Sequence, residues 1–287
     1  MELLDGNFIA SQIKLEIAEQ VKLLEASGKA APHLVAILVG DNASSASYVR
    51  NKIKFCEEVG FKSSLISLPI ECSESDLLEE IQKLNADSFV DGYIVQLPLP
   101  KHIDENKIIM AIDPSKDVDG FHPTNFGKMA QGLPAFLPAT PAGIIQILKR
   151  SNIQTSGKHC VIIGRSNIVG MPMSILMAQK GIDCTVTLTH SKTQNLKDIT
   201  LTADILIAAI GIPHFVTADM IKPNAIIIDV GINQIDDSTR KSGYRLVGDV
   251  NFEEVAPVAG KITPVPGGVG PMTVAALMLN TLQAKLK

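Results

Sequence analysis

Tyr48 and Lys52 stand four residues apart, within a stretch from Ser44 to Val59 whose pattern predicts a helix closed by Gly60. At that spacing two proton-handling side chains share one helix face and can point into one cleft. A surface lysine beside a half-buried tyrosine has the same spacing, so the pair alone decides nothing. Gln96 ends an apolar run, Tyr93 to Leu97, that Pro98 and Pro100 stop. An amide in a buried strand needs partners, and strand C-termini are where open α/β sheets place ligands. A Gln turned to solvent is the plainer alternative. Asp117 and Asp119 flank Val118, so at most one of them faces a pocket. Asp, Gly and Pro in a loop are also ordinary turn chemistry. His122 reads as structural, with no nucleophile or metal partner evident nearby.

A second group of residues suits an anion. Val161 to Gly164 reads as a strand ending in Gly164-Arg165-Ser166, and Gly170 stands near the start of the next helix. Glycine there lets the backbone approach a pyrophosphate, and the helix N-terminus offers free N–H groups. Ser166 replaces the middle glycine of the G-x-G-x-x-G fingerprint, so a tight turn with no ligand remains open. The following strand ends Thr189-His190-Ser191-Lys192-Thr193, without the acid that usually takes the ribose hydroxyls of NAD. Arg165, Ser191 and Lys192 could instead bind a 2′-phosphate, which favours NADP. Lys192 as a solvated loop charge is the alternative. A Tyr-x-x-x-Lys pair also occurs in short-chain dehydrogenases, but after the nucleotide turn. Here it precedes Gly164 by more than a hundred residues, and that family does not fit. Pro264 to Pro271 combines rigid prolines with bare glycines. Such a turn exposes backbone to a flat ligand, or simply bends the chain towards its last helix.

Two alternating series position these residues. Strands are expected at Leu34–Val39, Ser64–Leu68 and Tyr93–Leu97, with helices between them and a helical stripe at Ile9, Ile13, Ile17, Val21 and Leu24. Ser73 is placed to cap the helix of Leu77, Leu78, Ile81 and Leu84. Asp113 to Pro141 reads as irregular, a length of chain that is usually functional or a boundary. A helix from Pro141 to Arg150 opens the second series. Its strands are expected at Cys160–Gly164, Thr185–Thr189, Ile205–Ile210, Ala225–Val230 and Tyr244–Val250. Its helices are expected at Met171–Lys180, Gln194–Leu201 and Pro271–Ala284. Strand–helix alternation implies parallel sheets with right-handed crossovers.

Composition narrows the class. The chain has 287 residues, 46% hydrophobic and 20% charged, which supports one large or two ordinary domains rather than disorder. Net charge is −4 with no block of one sign, so nucleic acid is not the expected partner. No apolar run approaches the ~20 residues a bilayer requires, and no secretory signal is read at the start. Four cysteines, Cys56, Cys72, Cys160 and Cys184, are scattered singly, which argues against a zinc site or disulfide scaffold and for a reducing cytoplasm.

Six stretches then fall into one order. They are Ser47–Lys52, Asp91–Pro100, Lys116–His122, Gly164–Gly170, Asp229–Asn233 and Pro264–Thr273. In these the chain resembles the bifunctional methylenetetrahydrofolate dehydrogenase/methenyltetrahydrofolate cyclohydrolase family over nearly its whole length. The resemblance implies two α/β lobes with a cleft between them. Residues 1–140, completed by a C-terminal helix at 271–287, would form the substrate and catalytic lobe. Residues 141–270 would form a Rossmann-like NADP-binding lobe with a parallel sheet. It implies NADP-dependent oxidation of 5,10-methylenetetrahydrofolate to the methenyl form, then hydrolysis to 10-formyltetrahydrofolate, in a cytoplasmic homodimer needing no metal. Lys52 would manage the proton of the hydrolytic step, Gln96 would orient Lys52, and Tyr48 would pack along the substrate. Asp119 would take the pterin N–H donors. Val95, Leu97 and the stretch Pro266, Gly267, Gly268, Val269 and Gly270 would line the folate. Gly164, Arg165, Ser166, Ile168, Ser191 and Ile232 would hold NADP. Ala139 stands where many members carry Cys and reads as packing. Two rivals remain at this point: a shikimate-dehydrogenase-like NADP oxidoreductase, and a non-catalytic NADP-sensing module.

Overall fold

The computed structural model describes residues 1–240 and 243–287. In chain order its elements are β1 (Glu2–Leu3), α1 (Gly6–Ala26), β2 (His33–Val39), α2 (Ala43–Val59), β3 (Lys62–Leu68), α3 (Glu74–Ala86), β4 (Gly92–Val95), α4 (Glu105–Ala111), α5 (Pro123–Ala130), α6 (Ala139–Arg150), β5 (His159–Ile163), α7 (Gly170–Ala178), β6 (Thr185–Thr189), α8 (Leu196–Thr200), β7 (Ile205–Ala208), β8 (Ile226–Asp229), β9 (Asn233–Asp236), β10 (Tyr244–Val247), α9 (Phe252–Val255), β11 (Lys261–Ile262) and α10 (Val269–Leu286). They divide into two compact units, one of Ser11–Ala139 with Val274–Lys287, the other of Met1–Ala10 with Thr140–Thr273.

In the unit of Ser11–Ala139 and Val274–Lys287, β2 lies between β3 and β4 in a parallel sheet. All seven β2 residues are buried, which is why the strand reads as a continuous apolar run rather than an alternating one. Ser73 caps α3 as expected: its Oγ accepts from the Asp76 N–H, and its own N–H donates to the Asp76 carboxylate. The cap starts a helix whose Leu77, Ile81 and Leu84 pack with Ile37 and Tyr93. Leu77 and Ile81 are fully enclosed, and truncating such a side chain to Ala costs about 2–5 kcal/mol.

In the unit of Met1–Ala10 and Thr140–Thr273, six parallel strands run in the order β1-β11-β8-β7-β5-β6. The strand after β5 lies on one side of it and the next on the other, so the winding reverses at β5. The carboxyl ends of strands at such a reversal form the ligand crevice of open α/β sheets. The hairpin of β9 and β10 is antiparallel and separate from this sheet.

The stretch expected to be irregular, Asp113 to Pro141, contains α5. His122 Nδ1 accepts from the Thr124 N–H at 3.0 Å and Pro123 opens the first turn, so a histidine and a proline together start a helix. His122 is thus a cap, in line with its structural reading. Among the described residues no helix is long and apolar enough to cross a membrane, and no group of three or more His, Cys, Asp or Glu could hold a metal ion.

Candidate active site

Lys52 lies on α2, one turn after Tyr48, and is only 7% exposed. Its Nζ donates to Gln96 Oε1 at 3.2 Å. Gln96 Nε2 donates to the Leu97 carbonyl at 2.7 Å, so both ends of the amide are held. The Gln96 N–H donates to the Ile37 carbonyl at 2.9 Å, which keeps the residue on the sheet one position past β4. A buried amine is thereby presented at the carboxyl end of a parallel strand. Tyr48 is half-buried, and that burial pushes its phenol above the ordinary value.

Asp117 and Asp119 differ in exposure and in partners. Asp117 is 1% exposed, and its carboxylate accepts from the N–H groups of Phe121 and His122 and from Asn125 Nδ2, at 3.2, 2.8 and 2.9 Å. Burial raises its pKa to about 6, with the three donors opposing and Asp119 adding to the rise. Asp119 is half-buried. Tyr93 of β4 bridges Asp117 in parallel register, so Asp119 advances alongside the strand end that carries Val95 and Gln96. Val95, Leu97, Asp117, Asp119 and Phe121 line one small hollow, so both acids border it, where the sequence expectation was that at most one would face a pocket.

The nucleotide residues lie in the unit of Met1–Ala10 and Thr140–Thr273. Gly164 follows β5 with φ +111°, and a Cβ there would stand 2.2 Å from the Ala209 carbonyl. At Gly170 a Cβ would meet the Gly164 carbonyl at 1.9 Å, so α7 starts flush against the end of β5 and only glycine fits. These are the first and last glycine roles of a dinucleotide turn. Ser166 takes the middle position, and its Oγ accepts from the N–H groups of Val169 and Gly170 at 3.1 and 3.5 Å. Arg165, Ser166 and Ile168 are exposed on this turn. The Gly164 N–H donates to the Thr189 carbonyl at 3.0 Å, which sets the end of β6 beside it. Arg165 and the exposed Ser191 and Lys192 therefore follow two adjoining strand ends. Three exposed groups able to bind a phosphate, beside a turn that admits no Cβ, fit NADP.

Ile232 is exposed after β8, and a Cβ on Gly270 would contact its Cδ1 at 3.4 Å, so the glycine turn adjoins it. Of that turn, Pro266 is exposed, Gly268 and Val269 are buried, and Gly267 accepts from the Asn7 N–H at 3.1 Å. The structure thus joins Lys52 to Gln96, puts Tyr48 on the same helix, and gathers Val95, Leu97 and Asp119. Pro266 to Gly270 lie with the nucleotide residues.

Sequence reasoning missed a buried pair behind the nucleotide loops. Asp229 ends β8 and accepts from the N–H groups of Gly231, Asp249 and Val250 at 3.0, 2.9 and 3.0 Å. Asp249 accepts from the N–H groups of Ile210 and Gly211 and from Asn233 Nδ2. Burial raises the Asp229 pKa to about 7 against those donors. The available signal was an aspartate closing the apolar run Ile226-Ile227-Ile228.

Comparison with known proteins adds the following. The family model for the tetrahydrofolate dehydrogenase/cyclohydrolase catalytic domain matches residues 4–119, and that for its NAD(P)-binding domain matches residues 138–287. Bifunctional protein FolD of Cytophaga hutchinsonii is 60% identical over 286 residues, 99% of each chain. The structure of the bifunctional FolD methylenetetrahydrofolate dehydrogenase/cyclohydrolase of Campylobacter jejuni superposes with TM-score 0.94 at 45% identity, covering 100% of this chain and 99% of the other. The Trypanosoma brucei dehydrogenase-cyclohydrolase, solved with NADP cofactor and inhibitor, gives 0.93 at 38% identity, covering 98% and 96%. A shikimate 5-dehydrogenase from Listeria monocytogenes gives 0.51 at 15% identity over 88% and 92%, a likeness of fold alone.

Proposed function

The chain belongs to the tetrahydrofolate dehydrogenase/cyclohydrolase family, and from that premise we infer that it oxidises 5,10-methylenetetrahydrofolate with NADP and hydrolyses the methenyl product to 10-formyltetrahydrofolate. NADP, when bound, supplies the acceptor for the hydride of the bridging carbon, and Arg165, Ser166, Ile168, Ser191, Ile232 and Gly164 would hold it. The neighbouring nitrogen lone pair stabilises the cation left on that carbon. This step therefore asks the protein for position rather than for a strong base.

Hydrolysis asks for proton transfer. Water adds to the methenyl carbon and Lys52 takes the proton that water gives up; the remaining hydroxyl proton passes to the departing nitrogen as its bond to that carbon breaks, and a formyl group remains on the other nitrogen. Gln96 holds the Lys52 amine in place through its Oε1, and Tyr48 packs along the substrate. Asp119 accepts the pterin's N–H donors, with Val95 and Leu97 against the folate. The observation that carries this reading is the buried amine of Lys52, held 3.2 Å from Gln96 Oε1 at a strand end.

The reading extends to a homodimer in the cytoplasm that engages neither nucleic acid nor membrane. Its supports are the edge of β3, unpaired among the described residues, where Leu65 is 45% exposed, and four free, buried thiols that suit a reducing compartment. Sedimentation tests the dimer. The function is tested by supplying methylenetetrahydrofolate with NADP and following absorbance. Methenyl and then formyl product is expected; nucleotide binding without folate turnover would favour a sensing module instead.

A further inference from the structure

Among the described residues, no donor reaches the Asp119 carboxylate, yet the backbone around it is fixed from several sides. Asn280 of α10 is 6% exposed, and its Nδ2 donates to the carbonyls of both Val118 and Leu137 at 2.8 Å. The Ala139 N–H donates to the Asp119 carbonyl at 3.2 Å. Gly120 has φ +74°, and a Cβ there would lie 2.5 Å from the Leu137 carbonyl carbon, so the two strands of chain are pressed together. On the other side, the buried Asp117 carboxylate gathers the N–H groups of Phe121 and His122. Lys116 is tied to β4 by the Tyr93 N–H at 3.0 Å. A single amide donating to two carbonyls on separate segments is an expensive arrangement for packing alone, since any hydrophobe would leave both carbonyls bare.

We propose that Asn280 and Asp117 are positioning residues for the folate site: from either side of the loop they fix the peptide that aims the Asp119 carboxylate at the pterin. The inference rests on the reading of Asp119 as the pterin's partner. Misplacing a binding group by about an ångström is enough to weaken recognition severely, without touching the chemistry itself.

The test is a double-mutant cycle in the dehydrogenase reaction, with folate KM, kcat and NADP KM measured for Asp119→Ala, Asn280→Ala and the double variant. Asn280→Ala is expected to raise folate KM about tenfold, with kcat within about threefold and NADP KM unchanged. In the Asp119→Ala background it should raise folate KM no further. If Asn280→Ala leaves folate KM unchanged, or adds its full effect to that of Asp119→Ala, the proposal fails while the Asp119 reading stands. If Asp119→Ala itself leaves folate KM unchanged, the Asp119 reading fails first and the proposal with it. Should Asn280→Ala not fold, Asn280→Ser retains one donor and Asp117→Asn retains the volume and one acceptor. The same cycle then reads the same outcomes.

Discussion

Replacing Lys52 by Met removes an amine and little else. The methionine stem fills nearly the same space in a site that is only 7% exposed. One hydrogen bond to Gln96 Oε1 is lost, worth about 0.5–1.5 kcal/mol net. Against that loss, a buried amine no longer has to be desolvated. Gln96 is half-buried and keeps its bond to the Leu97 carbonyl, so its freed oxygen can turn to water. The two contributions nearly offset, and the variant should unfold within about 1 kcal/mol of the parent. Loss of a general base, by contrast, removes about 10²–10⁴ in rate, or roughly 3–5 kcal/mol of barrier. Lys52→Met should therefore lose cyclohydrolase turnover while it binds folate and NADP, and retain some hydride transfer. The assay supplies methenyltetrahydrofolate directly, at matched pH, with urea unfolding of both proteins in parallel. Full hydrolysis by a folded Lys52→Met would refute the assignment of Lys52.

Three further outcomes follow from the nucleotide unit. Gly170→Ala would place a Cβ 1.9 Å from the Gly164 carbonyl, displacing the start of α7; NADP titration should show affinity lowered about tenfold or more, and unchanged affinity would contradict the cradle. Arg165→Ala should raise the KM for NADP by about 10–150-fold and that for NAD far less, whereas equal effects would remove the 2′-phosphate argument. The Asp229 pKa stands at about 7 against an ordinary 3.8, so between those values the folded chain holds a proton the unfolded chain has released. Stability must then fall as pH rises through that window, by up to about 4 kcal/mol. Asp229→Asn should abolish this component, so urea unfolding at pH 4 and pH 8 should show the variant gaining on the parent. A constant difference would mean that the backbone donors outweigh burial.

What the sequence made legible was whatever a single element decides. β2 and β5 are the apolar runs that a buried parallel strand requires, β6 is a β-branched run at the sheet's edge, and all three lie within a residue of expectation. Ser73 announced α3 because its cap is local chemistry. The elements α4, β1, β9 and β11 span seven residues or fewer, too short for a periodic signal. α5 hid among prolines and glycines because its start depends on a histidine cap rather than on Ser, Thr, Asp or Asn. At the site, Tyr48 and Lys52 were visible through helical spacing. The bond to Gln96 joins residues 44 apart and needed the fold. Asn280 lies 162 residues from Val118 on a helix that reads only as apolar, so its hold on the Asp119 loop had no signature in sequence.

The central claim is that Lys52, held by Gln96, is the hydrolytic base for a folate whose pterin rests on Asp119. A crystal structure of this chain with NADP and a non-reacting methylenetetrahydrofolate analogue tests it most directly. The account predicts the bridging carbon within one water of Lys52 Nζ and the pterin on Asp119. An analogue bound elsewhere, or a Lys52 amine turned away to bulk solvent, would contradict it.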